Sequence, residues 1–256
     1  MTTVTETPKL RSPFPYFGGK SKVAPLVWSR LGDVRNYVEP FFGSGAMLLG
    51  RPDWPFENGN RIETVNDKDC FLANFWRALK NAPDEVAEHA DWPVNEADLH
   101  ARHLWLVNVG REHVEKLRTD PDYFDVKIAG WWVWGICQWI GSGWCHHPEW
   151  QQLPHLGNSL GNGIVTWQNR GELYEYFDRL AARLSRVRIC CGDWQRVCGY
   201  TPTVKQGLTG VFLDPPYNGD AKRKADLYAV DDLSVSNDVR KWCLENGSDK
   251  RLRIAF

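Results

Sequence analysis

The stretch Asn36-Tyr37-Val38-Glu39-Pro40-Phe41-Phe42-Gly43-Ser44-Gly45-Ala46-Met47-Leu48-Leu49 decides the fold. It reads as a short strand, Asn36 to Glu39, running into a turn with two glycines and then into an apolar segment that starts a helix. Working downstream, Ile62 to Val65 reads as a second strand ending in Asn66-Asp67, and Phe71, Leu72, Phe75, Trp76 and Leu79 recur at helical spacing. Strand, glycine turn, helix, strand is the opening of a doubly wound α/β sheet. Upstream, Val23, Leu26, Val27 and Leu31 form a helical stripe over Lys22–Leu31, with Gly32 as its stop.

The rhythm returns near the other end of the chain. Leu173, Tyr176, Phe177, Leu180 and Leu184 make one apolar stripe over Gly171–Leu184. Val187 to Cys190 is a third strand leading into Gly192-Asp193-Trp194. Gly210 to Leu213 is a fourth and ends in Asp214-Pro215-Pro216-Tyr217. A helix capped by Ser236 runs to Asn246, with Gly247 as its stop, and a fifth strand begins at Leu252. Between the halves, from about residue 81 to 169, no such alternation is visible. Asp120-Pro121 looks like a helix start, and Tyr123, Val126, Ile128, Val133, Cys137 and Ile140 can share one broad face. We expect residues 12–80 and 170–256 to form one discontinuous domain, residues 81–169 an inserted, mainly helical module, and residues 1–11 a loose polar tail.

Composition narrows the class. Of 256 residues, 43% are hydrophobic and 25% charged, which suits a globular chain. No apolar run approaches the roughly 20 residues of a membrane helix, so a cytoplasmic location and no membrane partner are expected. Seven cysteines, an odd count with Cys190 and Cys191 adjacent, do not suggest a disulfide framework. Cys137, Cys145, His146 and His147 cluster, but without a CxxC pair they read as buried thiols and loop histidines, and no metal is expected. A net charge of −1 leaves a nucleic-acid partner open, because a basic stripe can sit on a neutral protein. Most of the 14 tryptophans are expected in packing, including Trp131, Trp132, Trp134, Trp139 and Trp144.

Three motifs carry chemistry. The glycines of Phe41-Phe42-Gly43-Ser44-Gly45 let backbone approach a ligand closely. Asp67 follows roughly 20 residues on, where doubly wound folds place an acid on ribose hydroxyls. Without a full GxGxxG, a pyrophosphate site is disfavoured. Asp214-Pro215-Pro216-Tyr217 sits at the carboxyl end of a strand, where open α/β sheets bind ligands. Its prolines leave carbonyls as acceptors only. A carboxylate beside such a carbonyl suits an amino group with two N–H bonds, and Tyr217 offers a stacking face for a base. Pro15-Tyr16-Phe17-Gly18-Gly19-Lys20 precedes a helix and could contact an anion or cofactor there.

In this order the motifs resemble the Dam-like family of DNA adenine methyltransferases, over nearly the whole chain. The resemblance implies a Rossmann-like methyltransferase sheet interrupted, between its second and third strands, by a target-recognition domain. It implies S-adenosylmethionine as cofactor and double-stranded DNA as partner. Tyr16 and Lys20 would contact the cofactor, Phe41, Gly43 and Gly45 would shape its loop, Asp67 would bind its ribose, and Asp193 would sit near its adenine ring. Asp214, Pro215, Pro216 and Tyr217 would hold a base flipped out of the duplex, with Asp214 also at the cofactor. The polar loop from Gly157 to Gly163, with Asn158 and Asn162, is the expected DNA reader, since asparagine can pair with adenine in the major groove.

The same acceptor logic would also serve cytosine N4 methylation, and an inactive DNA-binding relative or a small-molecule or protein methyltransferase is a more distant alternative. Family members usually continue into a further hairpin completing a seven-strand sheet. The fifth strand here stops at Phe256, so a fragment or shortened relative, monomeric and poorly soluble or weakly active alone, is expected.

Overall fold

Five parallel strands form one sheet among the described residues of the computed structural model, which are 10–16, 18–52, 61–140, 143–146, 163–166, 170–215 and 234–256. They are β1 (Asn36–Glu39), β2 (Ile62–Asp67), β3 (Arg188–Cys191), β4 (Thr209–Phe212) and β5 (Leu252–Ala255), in the order β3-β2-β1-β4-β5. Val38 pairs with Thr64 on one side and Val211 on the other, and Val211 with Ile254. Every residue of β1 and β4 is buried, which explains why neither shows a polar–apolar alternation: helices cover both faces. The chain lays strands outward from β1 through β3, then crosses back to place β4 against β1's other edge. The order therefore reverses between β1 and β4, and their carboxyl ends share one crevice.

On one face lie α1 (Ala24–Leu31), α2 (Ala46–Leu49), α3 (Cys70–Asn81) and α8 (Arg170–Leu184); on the other lie α9 (Gln195–Cys198) and α10 (Val235–Asn246). Side chains of β1 and β4 divide accordingly. Tyr37 and Phe212 enter the large core, while Val38, Val211 and the following Leu213 meet Val197 and Val239 in the small one. Beneath α2, the buried Glu63 of β2 binds Arg51 at 2.9 Å and Arg183 of α8 at 2.6 and 2.8 Å. Arg183 also donates to the Leu48 carbonyl, and Arg51 to that of Val34. Every charge in this cluster is hydrogen-bonded, the condition under which buried ions are tolerated.

Among the described residues between β2 and β3 the regular elements are helical. After α3 come α4 (Pro83–Ala90), α5 (Glu96–Trp105), α6 (Arg111–Val114) and α7 (Val126–Ile136). A π turn, Leu106–Gly110, joins α5 to α6, and a 3-10 turn, Glu115–Arg118, follows. Helix α7 packs against α3 and α4, and α4 against α8, so residues of this stretch, among them Val86, Leu99, Ile128 and Trp132, join the core that lies on the sheet. Trp132, Trp134, Trp139 and Trp144 are buried and Trp131 partly so. Cys137 and Cys145 are buried thiols. No helix among the described residues is long and apolar enough to cross a membrane.

Several local expectations change. Asp120 does not start a helix; its carboxylate accepts from Asp122 N in a turn, and Asp125 caps α7 by accepting from Ile128 N at 2.8 Å. In α1 the buried residues are Ala24, Trp28 and Leu31, whereas Val23 and Leu26 face solvent, because Trp28 turns inward to donate to the Met47 carbonyl. Ser236 lies inside α10, which begins at Val235 after Ser234. β2 continues to Asp67, and β3 and β4 each shift by one residue.

Candidate active site

The carboxyl ends of the strands surround a cleft of about 990 Å³, counting its open mouth. The glycine loop after β1 forms one wall. Phe42 N–H donates to the Asn66 carbonyl at 2.9 Å, fastening the loop to β2. Gly43 and Gly45 have φ of +49° and +71°, which side-chain-bearing residues rarely adopt. Space demands glycine as well: a Cβ on Gly43 would lie 2.9 Å from the Tyr16 ring, and one on Gly45 3.1 Å from Phe42 and Trp76. The indole N–H of Trp76, on α3, donates to the Gly43 carbonyl at 3.0 Å.

Asp67 closes the loop from the other side. Its Oδ2 accepts from Gly43 N–H and its Oδ1 from Asp69 N–H, both at 3.0 Å. Burial pushes its carboxyl above the usual range, with those N–H bonds opposing. Asp69 in turn caps α3 by accepting from Phe71 N–H at 2.8 Å. Burial, reinforced by the charge of Asp67, raises its carboxyl to about 6. A carboxylate has about four acceptor positions, and the backbone N–H groups of Phe42 and Lys68 also bear on Asp67, so a ligand would share its oxygens with the loop.

Asn66 joins three strand ends. Its amide donates to the carbonyls of Pro40 and Gly192, each at 3.0 Å, while its buried Oδ1 has no hydrogen-bond partner among the described residues. Beyond Gly192, the exposed Asp193 accepts from Gln195 N–H at the start of α9. The buried Trp194 faces Phe41 at 6.1 Å between ring centroids. These rings give the cleft an aromatic side near Asp193.

The opposite wall is β4's end. Asp214 borders the cleft, and its Oδ2 lies 2.5 Å from Nζ of Lys20. Glu39, at the end of β1, is 2% exposed and accepts from the Tyr37 hydroxyl at 2.9 Å. Burial holds its carboxyl well above the usual range against that bond, and the charge of Asp214 adds to the shift.

Tyr16, Lys20, Phe41, Gly43, Asp67, Asp193 and Asp214 thus line one cleft, Gly45 supports it from behind, and Pro215 is buried beside Asp214. Lys20 reaches the β4 wall. Pro216, Tyr217, Asn158 and Asn162 lie outside the described residues, as does His147. Sequence reasoning missed Glu39, Asn66, Asp69 and Trp194. Each lies within two residues of a residue already singled out, and an acid at the last position of a buried strand was a readable signal.

A family model described as MethyltransfD12, D12 class N6 adenine-specific DNA methyltransferase, matches residues 16–106. The matched segment holds Tyr16, Lys20, the glycine loop and Asp67, and bears out the resemblance drawn from the motif order. No curated protein matches the chain.

Proposed function

We propose that this chain, matched through residues 16–106 to the D12 class of N6 adenine-specific DNA methyltransferases, methylates the exocyclic amino group of a flipped-out adenine in DNA, with S-adenosylmethionine as donor. One observation carries the proposal: strand reversal between β1 and β4 brings the glycine loop and Asp214 to the same cleft. The family match favours adenine N6 over cytosine N4.

The cleft suits this cofactor. Asp67 and Asp193 line it with carboxyl groups for the hydroxyls and amino groups of such a ligand, and Phe41 with Trp194 offers aromatic surface for its adenine. When bound, the cofactor supplies a methyl group already activated on a sulfonium. Asp67 is the ribose acceptor in this reading, with Tyr16 and the backbone of Gly43 forming the adjoining wall and Asp193 lying toward the adenine ring.

Asp214 and the Pro215 carbonyl accept the two N–H bonds of the target amino group. That geometry draws the nitrogen lone pair out of conjugation with the ring and aims it at the methyl. Tyr217 supplies the stacking face. Positioning therefore does most of the catalysis. Transfer would break the sulfonium S–C bond as the N–C bond forms, leaving a neutral thioether, and the Asp214 carboxylate would stabilise the cationic nitrogen until its surplus proton passes to solvent. A duplex base reaches such a cleft only by leaving the stack. Residues 81–169 are the proposed recognition module, with Asn158 and Asn162 as readers.

Incubating the protein with methyl-labelled S-adenosylmethionine and mixed duplex DNA, then mapping the modified bases, tests the reading. N6-methyladenine at a defined sequence is expected. Label confined to cytosine, or its absence from DNA, overturns it.

A further inference from the structure

The ion pair between Lys20 and Asp214 carries a consequence for loading of the cleft, resting on the reading of Asp214 as acceptor for the target amino group. Nζ of Lys20 stands 2.5 Å from Oδ2 of Asp214 and 2.7 Å from the Gly18 carbonyl. The backbone around it is fixed: Gly19 N–H closes a turn onto the Tyr16 carbonyl, and the Lys20 carbonyl accepts from Val23 and Ala24 N–H to lead into α1. From there the lysine side chain folds back over Gly18, where a Cβ would lie 3.1 Å from Nζ. The Lys20 and Asp214 side chains are only 22% and 26% exposed, so the contact is partly sheltered from water.

In this arrangement an ammonium group occupies the carboxylate that the target amino group needs. Methyl transfer also moves positive charge from the cofactor's sulfur to the amino nitrogen, toward Asp214. A lysine retained there would take acceptor lone pairs from the base and repel the arriving charge. Until the base arrives the same lysine has a use, because it pairs with a carboxylate that is only 26% exposed. We infer that Lys20 is a latch: its ammonium pairs with Asp214, and it withdraws as the cationic cofactor and the target base take over the carboxylate. Lys20 is then a positioning residue that sets how strongly the cleft distinguishes the charged cofactor from its uncharged product.

Calorimetric titration of the DNA-free protein with S-adenosylmethionine and, separately, S-adenosylhomocysteine tests this. The two ligands differ only in the methyl group and the charge at sulfur. Lys20→Met should raise the affinity ratio in favour of S-adenosylmethionine by about 3- to 30-fold, the scale for removing one like charge several ångströms away behind partial screening. Lys20→Gln, which keeps a donor for the Gly18 carbonyl, should raise it likewise, and Lys20→Arg should hold it near the wild-type ratio. A purely structural role would alter both affinities together. Wild-type binding of both ligands with an unchanged or lowered ratio in Lys20→Met and Lys20→Gln overturns the latch alone. If the folded wild-type protein bound neither ligand, the functional reading would fall and the latch with it.

Discussion

Replacing Asp67 by alanine should damage the fold and the cofactor site together, by separable amounts. The carboxylate receives two backbone N–H groups, from Gly43 and Asp69, at 3.0 Å each. Hydrogen bonds to a charged group contribute roughly 1.5–3 kcal/mol. The loop can relax and admit water at its partly exposed edge, so we expect a net loss of about 2–4 kcal/mol rather than the full sum. For a domain of this size each kcal/mol lowers Tm by roughly 2–4 °C, giving a drop of about 4–16 °C. The missing ribose contact should separately weaken S-adenosylmethionine binding by about 10- to 150-fold, equivalent to one charged hydrogen-bonding partner. Thermal unfolding followed by circular dichroism measures the first effect, and calorimetric titration well below the lowered Tm measures the second. Asp67→Asn, which retains one acceptor oxygen, should fall between wild type and alanine in both. A wild-type Tm in Asp67→Ala would refute the loop-tying role; a normal dissociation constant would refute the ribose role.

Asp214→Ala should lower methyl transfer by at least about 100-fold, the usual effect of losing an active-site electrostatic contact; turnover with labelled cofactor above a tenth of wild type contradicts its role. Asp69 gives a pH signature. Its folded value of about 6 lies above the ordinary 3.8, so the native state holds a proton that the unfolded chain releases. Stability should therefore fall as pH rises from about 4 to about 6, by at most about 3 kcal/mol at 1.4 kcal/mol per tenfold change in proton affinity. Asp69→Asn keeps a good cap and should flatten that slope in urea unfolding; an unchanged slope assigns it elsewhere. Arg183→Leu should destabilise by about 3–5 kcal/mol, because it strips a partner from the buried Glu63; a loss under 1 kcal/mol in urea unfolding would count against that. Asn158→Ala and Asn162→Ala should change the methylated-site profile or DNA affinity, and unaltered site maps and binding would remove that loop as the reader.

The parts of the fold legible in the sequence were those where a local signal coincides with a global one. Asn36 to Glu39 is too short to identify a strand by periodicity, but the glycine turn behind it and Asp67 beyond it make only one arrangement reasonable. The tryptophans from Trp132 to Trp144 went inside because their size demands it. Helix starts were less legible. Asp120-Pro121 has the composition of a start, yet Asp125 is the cap because Asn74 of α3 accepts its N–H and donates to its carbonyl, a tertiary pairing 51 residues apart. The same limit hid Asn66, whose value lies in spanning Pro40 and Gly192. It also hid the Lys20–Asp214 pair, since no spacing rule connects the first motif to the last.

Helix α3 begins at the wall of the cleft, where Asp69 caps it and Trp76 grips the glycine loop, and the rest of it is the bed on which α7 rests. It is one helix with two tenants. A ligand in the cleft that tilts it even slightly re-aims whatever the helices above it present to a partner. Thermodynamic reciprocity then requires the partner to return the influence with the same free energy.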